Sequence, residues 1–364
     1  MRRLPGRCQH LDPCRCSENR DEAIASMRFV PPKFPDPAMS RARSAVTRDN
    51  SGRPSLYGVA APGALPVLPG VSVALVKTTI LFKKEQYFIN ADSCEDDDTD
   101  CGVIYSKPIP GPTDNRGLVI CCHGKLGNEA PGEQYFDVFE TLARCLVANG
   151  FVVASIRHRK TGRDNAAKQF LTHTSFLLGE SESTKNPAVK FSLFGKPLTL
   201  LGQSEGAHGA ILAALAISNF AISNVIGFVS AVVCLAPTTT AQIKGPYATD
   251  VLMLEGSHDG DEPWGAGSLL PYEFCQPSNG TKHFIWVHGA NHIKWMDADS
   301  TADPIHPLGP DELTALHPAT QKLIMQNYVA GFLRWKLLKE VSFRPPFVGD
   351  GTFAWATSPD FSPG

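Results

Sequence analysis

The segment that most constrains this chain runs from Leu198 to Ala210, Leu-Thr-Leu-Leu-Gly-Gln-Ser-Glu-Gly-Ala-His-Gly-Ala. An apolar, strand-like run breaks at Gly202, and an alanine-rich, helix-favouring run starts by Glu205. The chain must turn from strand to helix within about one residue, at Ser204 in Gly202-x-Ser204-x-Gly206. Such a turn forces a strained backbone at the serine and leaves no room for side chains two residues either side. It lifts the hydroxyl clear of the sheet and sets it beside the Glu205 N–H and a helix N-terminus.

The surroundings repeat the same strand-and-helix alternation. Strands are predicted near 73–81, 85–90 and 101–106, with polar turns between them, which suggests an antiparallel start. Strand 117–122 precedes a helix over about 131–149 with Tyr135, Phe139, Leu142 and Leu146 on one face and Gly150 as its stop. Strand 151–156, a helix near 164–178, the Ser204 strand and helix, and strands 228–235, 250–255 and 283–288 follow. An amphipathic helix over 319–338 carries Tyr328, Phe332 and Trp335. Alternating elements with near-continuous apolar strands predict an α/β fold, a mostly parallel sheet covered by helices on both faces.

Chemistry-bearing residues follow strand ends in the order Ser, acid, His. Strand 250–255 runs into Gly256-Ser-His-Asp-Gly-Asp261, and strand 283–288 into Gly289-Ala-Asn-His292. An aspartate and a histidine there would meet Ser204 at one edge of a parallel sheet. His292 would take the Ser204 proton and pass it to a leaving group, while Asp259 would hold the imidazole tautomer.

On Gly202-Gln-Ser-Glu-Gly206, Gly256-Ser-His-Asp259, Gly289-Ala-Asn-His292 and Cys122-His-Gly-Lys125, the chain resembles the α/β-hydrolase superfamily over roughly residues 70 to 340. The resemblance leans to its lipase/esterase, polyesterase-like branches. It implies an α/β-hydrolase fold and favours Asp259 over Asp261 as the acid through the spacing Gly-x-x-Asp. It implies an oxyanion hole from the N–H groups of Glu205 and Lys125, and no metal or organic cofactor. A tight turn at His123-Gly124 is compatible with that hole, because the turn aims the N–H. His208, His258 and His288 are expected to be structural. The short span from Ala236 to Thr249 leaves no room for a large cap domain, so an open cleft for bulky or polymeric esters is expected. Trp264 and Trp295 are candidate walls of that cleft, and Trp286 is expected to alternate into the core. The expected activity is carboxylic ester hydrolysis through an acyl-enzyme. The alternatives are a thioesterase, lactonase or amidase with the same triad, or a non-catalytic binding protein on the same fold.

Composition excludes other classes. Against 34 Lys and Arg stand 36 Asp and Glu, a formal charge of −2, so there is no basic field for nucleic acid. No apolar run reaches the roughly 18–20 residues of a membrane span. Residues 1–55 are rich in arginine and proline without periodicity and are expected to be a disordered extension, leaving 56–364 as one catalytic domain. They lack a signal-peptide apolar region, and a cytoplasmic location is slightly favoured. Of the ten cysteines, Cys121, Cys122 and Cys234 are expected in buried strands, with Cys145 on an inward helix face. Cys94 and Cys101 bracket an acidic run and are a candidate disulfide in an oxidising compartment; that run reads as a solvated loop rather than a calcium site.

Overall fold

The computed structural model describes residues 82–89, 100–107, 116–124, 138–158, 162–181, 193, 195–219, 228–238, 248–261, 280–297 and 315–348. All of them belong to one compact unit within Val59–Gly364. The expected strand at 73–81, the arginine-rich head, Cys94 and the acidic run to Thr99 lie outside the described residues, as do the first turns expected of the 131–149 helix.

Eight strands form one sheet. In chain order they are β1 Lys83–Ile89, β2 Asp100–Ser106, β3 Leu118–Cys122, β4 Val152–Ile156, β5 Leu198–Gln203, β6 Val229–Leu235, β7 Asp250–Gly256 and β8 Lys282–Val287. Their order in the sheet is β1-β2-β4-β3-β5-β6-β7-β8. β1 pairs antiparallel with β2 and β2 antiparallel with β4, as the polar turns predict. Every later pairing is parallel. β3, β4 and β5 are buried along their whole length, which is why they read as unbroken apolar runs.

The described helices are α1 Glu140–Ala148, α2 Arg163–Ser181, α3 Glu205–Asn219 and α4 Pro318–Leu338. The pleat sorts the apolar side chains into two cores. Val119 and Cys121 of β3 face a core with Leu142 and Leu146 of α1 and Met325 and Phe332 of α4. Leu118, Ile120 and Cys122 face the opposite core, with Phe170 of α2 and Ile211 and Ala214 of α3. The sheet is therefore covered on both faces.

This topology positions the site. The chain steps one way from β3 to β4 and the other way from β4 to β5, so right-handed crossovers put α1 and α2 on opposite faces. The connections that leave the carboxyl ends of β3 and β5, through α1 and α3, pass to opposite faces, which makes those two strand ends the switch point at which sheets of this kind form a crevice. The loop after β3 begins at His123, and the turn after β5 is Ser204.

Cys121, Cys122 and Cys234 are buried free thiols and Cys145 is half-buried. Burial pushes the Cys145 thiol up to about 12. Cys101 is disulfide-bonded. No described helix is long and apolar enough to cross a membrane.

Candidate active site

Ser204 sits on the turn between β5 and α3 with φ of 56°, the left-handed region. A non-glycine residue there costs on the order of 1–2 kcal/mol, so the surroundings must impose it. They do so by contact. A Cβ on Gly202 would run into the backbone of Gly206 and Ala207, and one on Gly206 into the carbonyls of Cys122 and His123. The Ser204 N–H donates to the Leu235 carbonyl at 3.0 Å, pinning the turn to β6. The Glu205 side chain leaves the crevice sideways and accepts the Gly162 N–H at 2.7 Å.

Gly124 lies against the serine, and a Cβ there would collide with Ser204 Cβ and with Gln203. Its N–H donates to Gln203 Oε1 at 3.2 Å, so that N–H is already occupied. The buried His123 ring locks the turn. Its Nε2 accepts the His158 N–H at 3.1 Å, so Nδ1 carries the proton and donates to the Gly124 carbonyl at 2.7 Å. Burial, then the neighbouring His158, pushes the His123 pKa down to about 3. Burial also lowers that of His158. Lys125 lies outside the described residues.

The acid and the histidine stand after adjacent strands. Asp259 Oδ2 accepts from His292 Nδ1 at 2.7 Å, with both side chains buried. Asp261 lies on the other side of the ring, its Oδ2 3.6 Å from Nε2 and its side chain 47% exposed. The Asp261 N–H donates to Asp259 Oδ1 at 3.0 Å. Of the two aspartates, Asp259 is the one placed to set the tautomer. The Ser204 hydroxyl has no hydrogen bond to the ring among the described contacts. Such bonds are often long before substrate binds and tighten in the complex.

Long-range hydrogen bonds join these parts. Gln203 Nε2 donates to the His292 carbonyl at 3.0 Å, so one side chain spans the Gly124 turn, the Ser204 strand and the His292 loop. Gln321 of α4 is fully buried; it accepts the Asn291 N–H at 3.0 Å and donates to the Asn291 carbonyl at 2.8 Å. Asn291 Oδ1 accepts the Lys294 N–H at 3.0 Å. Asp297 then anchors the far end of the loop. It accepts from the Thr141 N–H at 2.7 Å and hydroxyl at 2.6 Å on α1, and pairs with Lys322 of α4 at 2.9 Å. On the acid side, the Ser257 hydroxyl accepts the Gly289 N–H at 2.8 Å and bonds His258 Nδ1 at 2.9 Å.

His208 and His258 take structural places, His208 with its Nδ1 3.3 Å from the Thr238 carbonyl. Trp295 corrects an expectation. It is fully buried in the core shared with α1 and α4, so it is a packing residue rather than a wall of the cleft. It follows His292 by three residues, but Asp297 pulls that stretch onto the helices. Trp264 lies outside the described residues. Trp286 is half-buried and tilted against Phe284 at 6.2 Å. Gln203, His158, Gln321 and Asp297 were not singled out from sequence. For Gln203 a signal existed: a long polar side chain ending an otherwise buried strand needs a partner. For Gln321 and Asp297 none did, because their partners lie 30 and 156 residues away.

Comparison with protein-family models and with curated proteins finds no match to this chain.

Proposed function

We propose that this chain is a serine hydrolase of the α/β-hydrolase fold that cleaves carboxylic esters through an acyl-enzyme. One observation carries the reading: a buried Asp259–His292 pair at 2.7 Å, with the His292 carbonyl bonded to Gln203, the residue before a serine held at φ 56° on a strand-to-helix turn. Ser204 Oγ attacks the ester carbonyl and its proton passes to His292 Nε2. The resulting oxyanion is held by the Glu205 N–H at the start of α3 and by the N–H of Lys125, the residue that the family resemblance implies. Collapse breaks the ester C–O bond, and Nε2 returns the proton to the departing alcohol. Water, deprotonated by the same nitrogen, then releases the acid and restores Ser204. Asp259 fixes the ring and stabilises the imidazolium. Besides water, the steps use side chains and backbone N–H groups of this chain.

Labelling with a fluorophosphonate probe tests this. Wild-type protein should be labelled at Ser204, and Ser204→Ala should lose labelling and roughly 10⁴-fold or more in kcat. A folded Ser204→Ala protein that keeps its ester turnover would refute the mechanism.

A further inference from the structure

The mechanism requires Asp259, but it gives no part to Asp261. That second carboxylate lies 3.6 Å from Nε2, the atom that hands its proton to the departing alcohol. At that moment the leaving oxygen is within hydrogen-bond reach of Nε2, about 3 Å away. The first few atoms of the alcohol therefore fall within roughly 4–7 Å of Asp261 Oδ2, a distance over which one unit charge acts on another.

The position is set by the site itself. Asp261 follows the acid by two residues, and its N–H donates to Asp259 Oδ1 at 3.0 Å. That hydrogen bond ties the Asp261 backbone to the carboxylate that holds the ring. Among the described residues, the His292 ring is the one basic group within 4 Å of the Asp261 carboxylate. A carboxylate here repels the oxyanion that develops at Ser204 and any negative charge on the alcohol. A positive charge on the alcohol reverses that interaction. The side chain is half-exposed, so an incoming group can meet it, and it does not belong to the buried pair.

We infer that Asp261 is a specificity-determining residue on the leaving-group side, and that it makes the site favour esters whose alcohol carries a positive charge, such as quaternary-ammonium alcohols. The inference rests on the ester-hydrolase reading above. The substrate class it names is an ester of a cationic amino alcohol, with the charge two or three bonds from the ester oxygen.

The experiment uses matched pairs of acetic, butyric and benzoic esters. One member is the choline ester; the other is its neutral isostere, with carbon in place of the quaternary nitrogen. The readout is the ratio of kcat/KM, cationic over neutral, for the full chain and for Asp261→Asn and Asp261→Lys. A loss common to both substrates cancels in that ratio. Asp261→Asn should lower it roughly two- to five-fold, the range of a half-exposed ion pair. Asp261→Lys should lower it further, and high salt should erode the wild-type preference but not that of Asp261→Asn. Equal ratios in all three proteins, with the neutral esters turned over, would overturn this assignment and leave the hydrolase reading standing. Failure of every ester together with absence of fluorophosphonate labelling at Ser204 would overturn the hydrolase reading and this inference with it.

Discussion

The turn at Ser204 and the loop at His292 reach the same crevice by different physical means. The turn is held by backbone atoms in contact: Gly202 against Gly206, Gly206 against Cys122 and His123, Gly124 against the Gln203 carbonyl. The loop is held by side-chain hydrogen bonds from distant elements: Gln203 on His292, Gln321 on Asn291, and Asp297 tying the loop to α1 and α4. Steric contacts of the first kind cannot relax without moving a strand or a helix. Hydrogen bonds of the second kind can be lost singly, leaving the fold intact while the ring drifts. The Ser204 side should therefore fail as a fold, and the His292 side as a geometry.

That contrast is open to test. The largest effect should come from Gly202→Ala, which drives a Cβ into the Gly206 carbonyl. We expect destabilisation of about 4 kcal/mol or more, in the range of severe core disruption, measured by chemical denaturation. A soluble, active variant with an unchanged midpoint would show that the turn yields more easily than its contacts imply. Next comes Gln321→Leu, which strips both hydrogen bonds from Asn291. Stability should fall by roughly 2–3 kcal/mol. The kcat should fall roughly ten- to a hundred-fold with KM little changed, because the ring rather than the substrate is displaced. A stability loss with unchanged kcat would make Gln321 a packing residue only.

The remaining effect concerns pH and sharpens the comparison on the turn side, where the His123 ring adds a side-chain lock to the backbone contacts. Its folded pKa, about 3, lies below the ordinary histidine value of 6.5. The unfolded chain therefore binds a proton in this window that the folded chain refuses. Stability is full above about pH 6.5 and drops as pH falls towards 3, by at most about 1.4 kcal/mol per pH unit from this group. His158 and His283, also lowered by burial, act in the same direction. Denaturation midpoints measured across that window should fall less steeply for His123→Gln than for wild type. Parallel curves would show that His123 does not stay neutral in the folded protein.

Much of the architecture was legible because its causes are local. The period of apolar residues places β3 to β8, α2 and α4 within a few residues of their observed bounds, and the start of α3. Gly202 marks the turn because its contact with Gly206 and Ala207 crosses the strand-to-helix junction between neighbours in the chain. Ser204, Asp259 and His292 were legible as strand-end residues, since a parallel sheet brings successive carboxyl ends to one edge. The antiparallel start at β1 and β2 followed from polar turns. The sequence-based reading failed at Trp295, where an aromatic residue near a candidate base reads equally well as cleft wall or core.

What the amino-acid sequence determined by itself is thus the set of elements, their succession and the positions where chemistry can sit. Tertiary structure decided which side chains meet. It put Asp259 on Nδ1 and Asp261 near Nε2, although they are two residues apart in one loop. It turned Trp295 into the core, joined the Gly124 turn to the His292 loop through Gln203, and reached from α4 with Gln321 to hold Asn291. The physical reason is range. Propensity, periodicity and turn sterics act within a few residues. The direction of a side chain, and the partner that satisfies it, depend on elements packed beside it from tens or more than a hundred residues away.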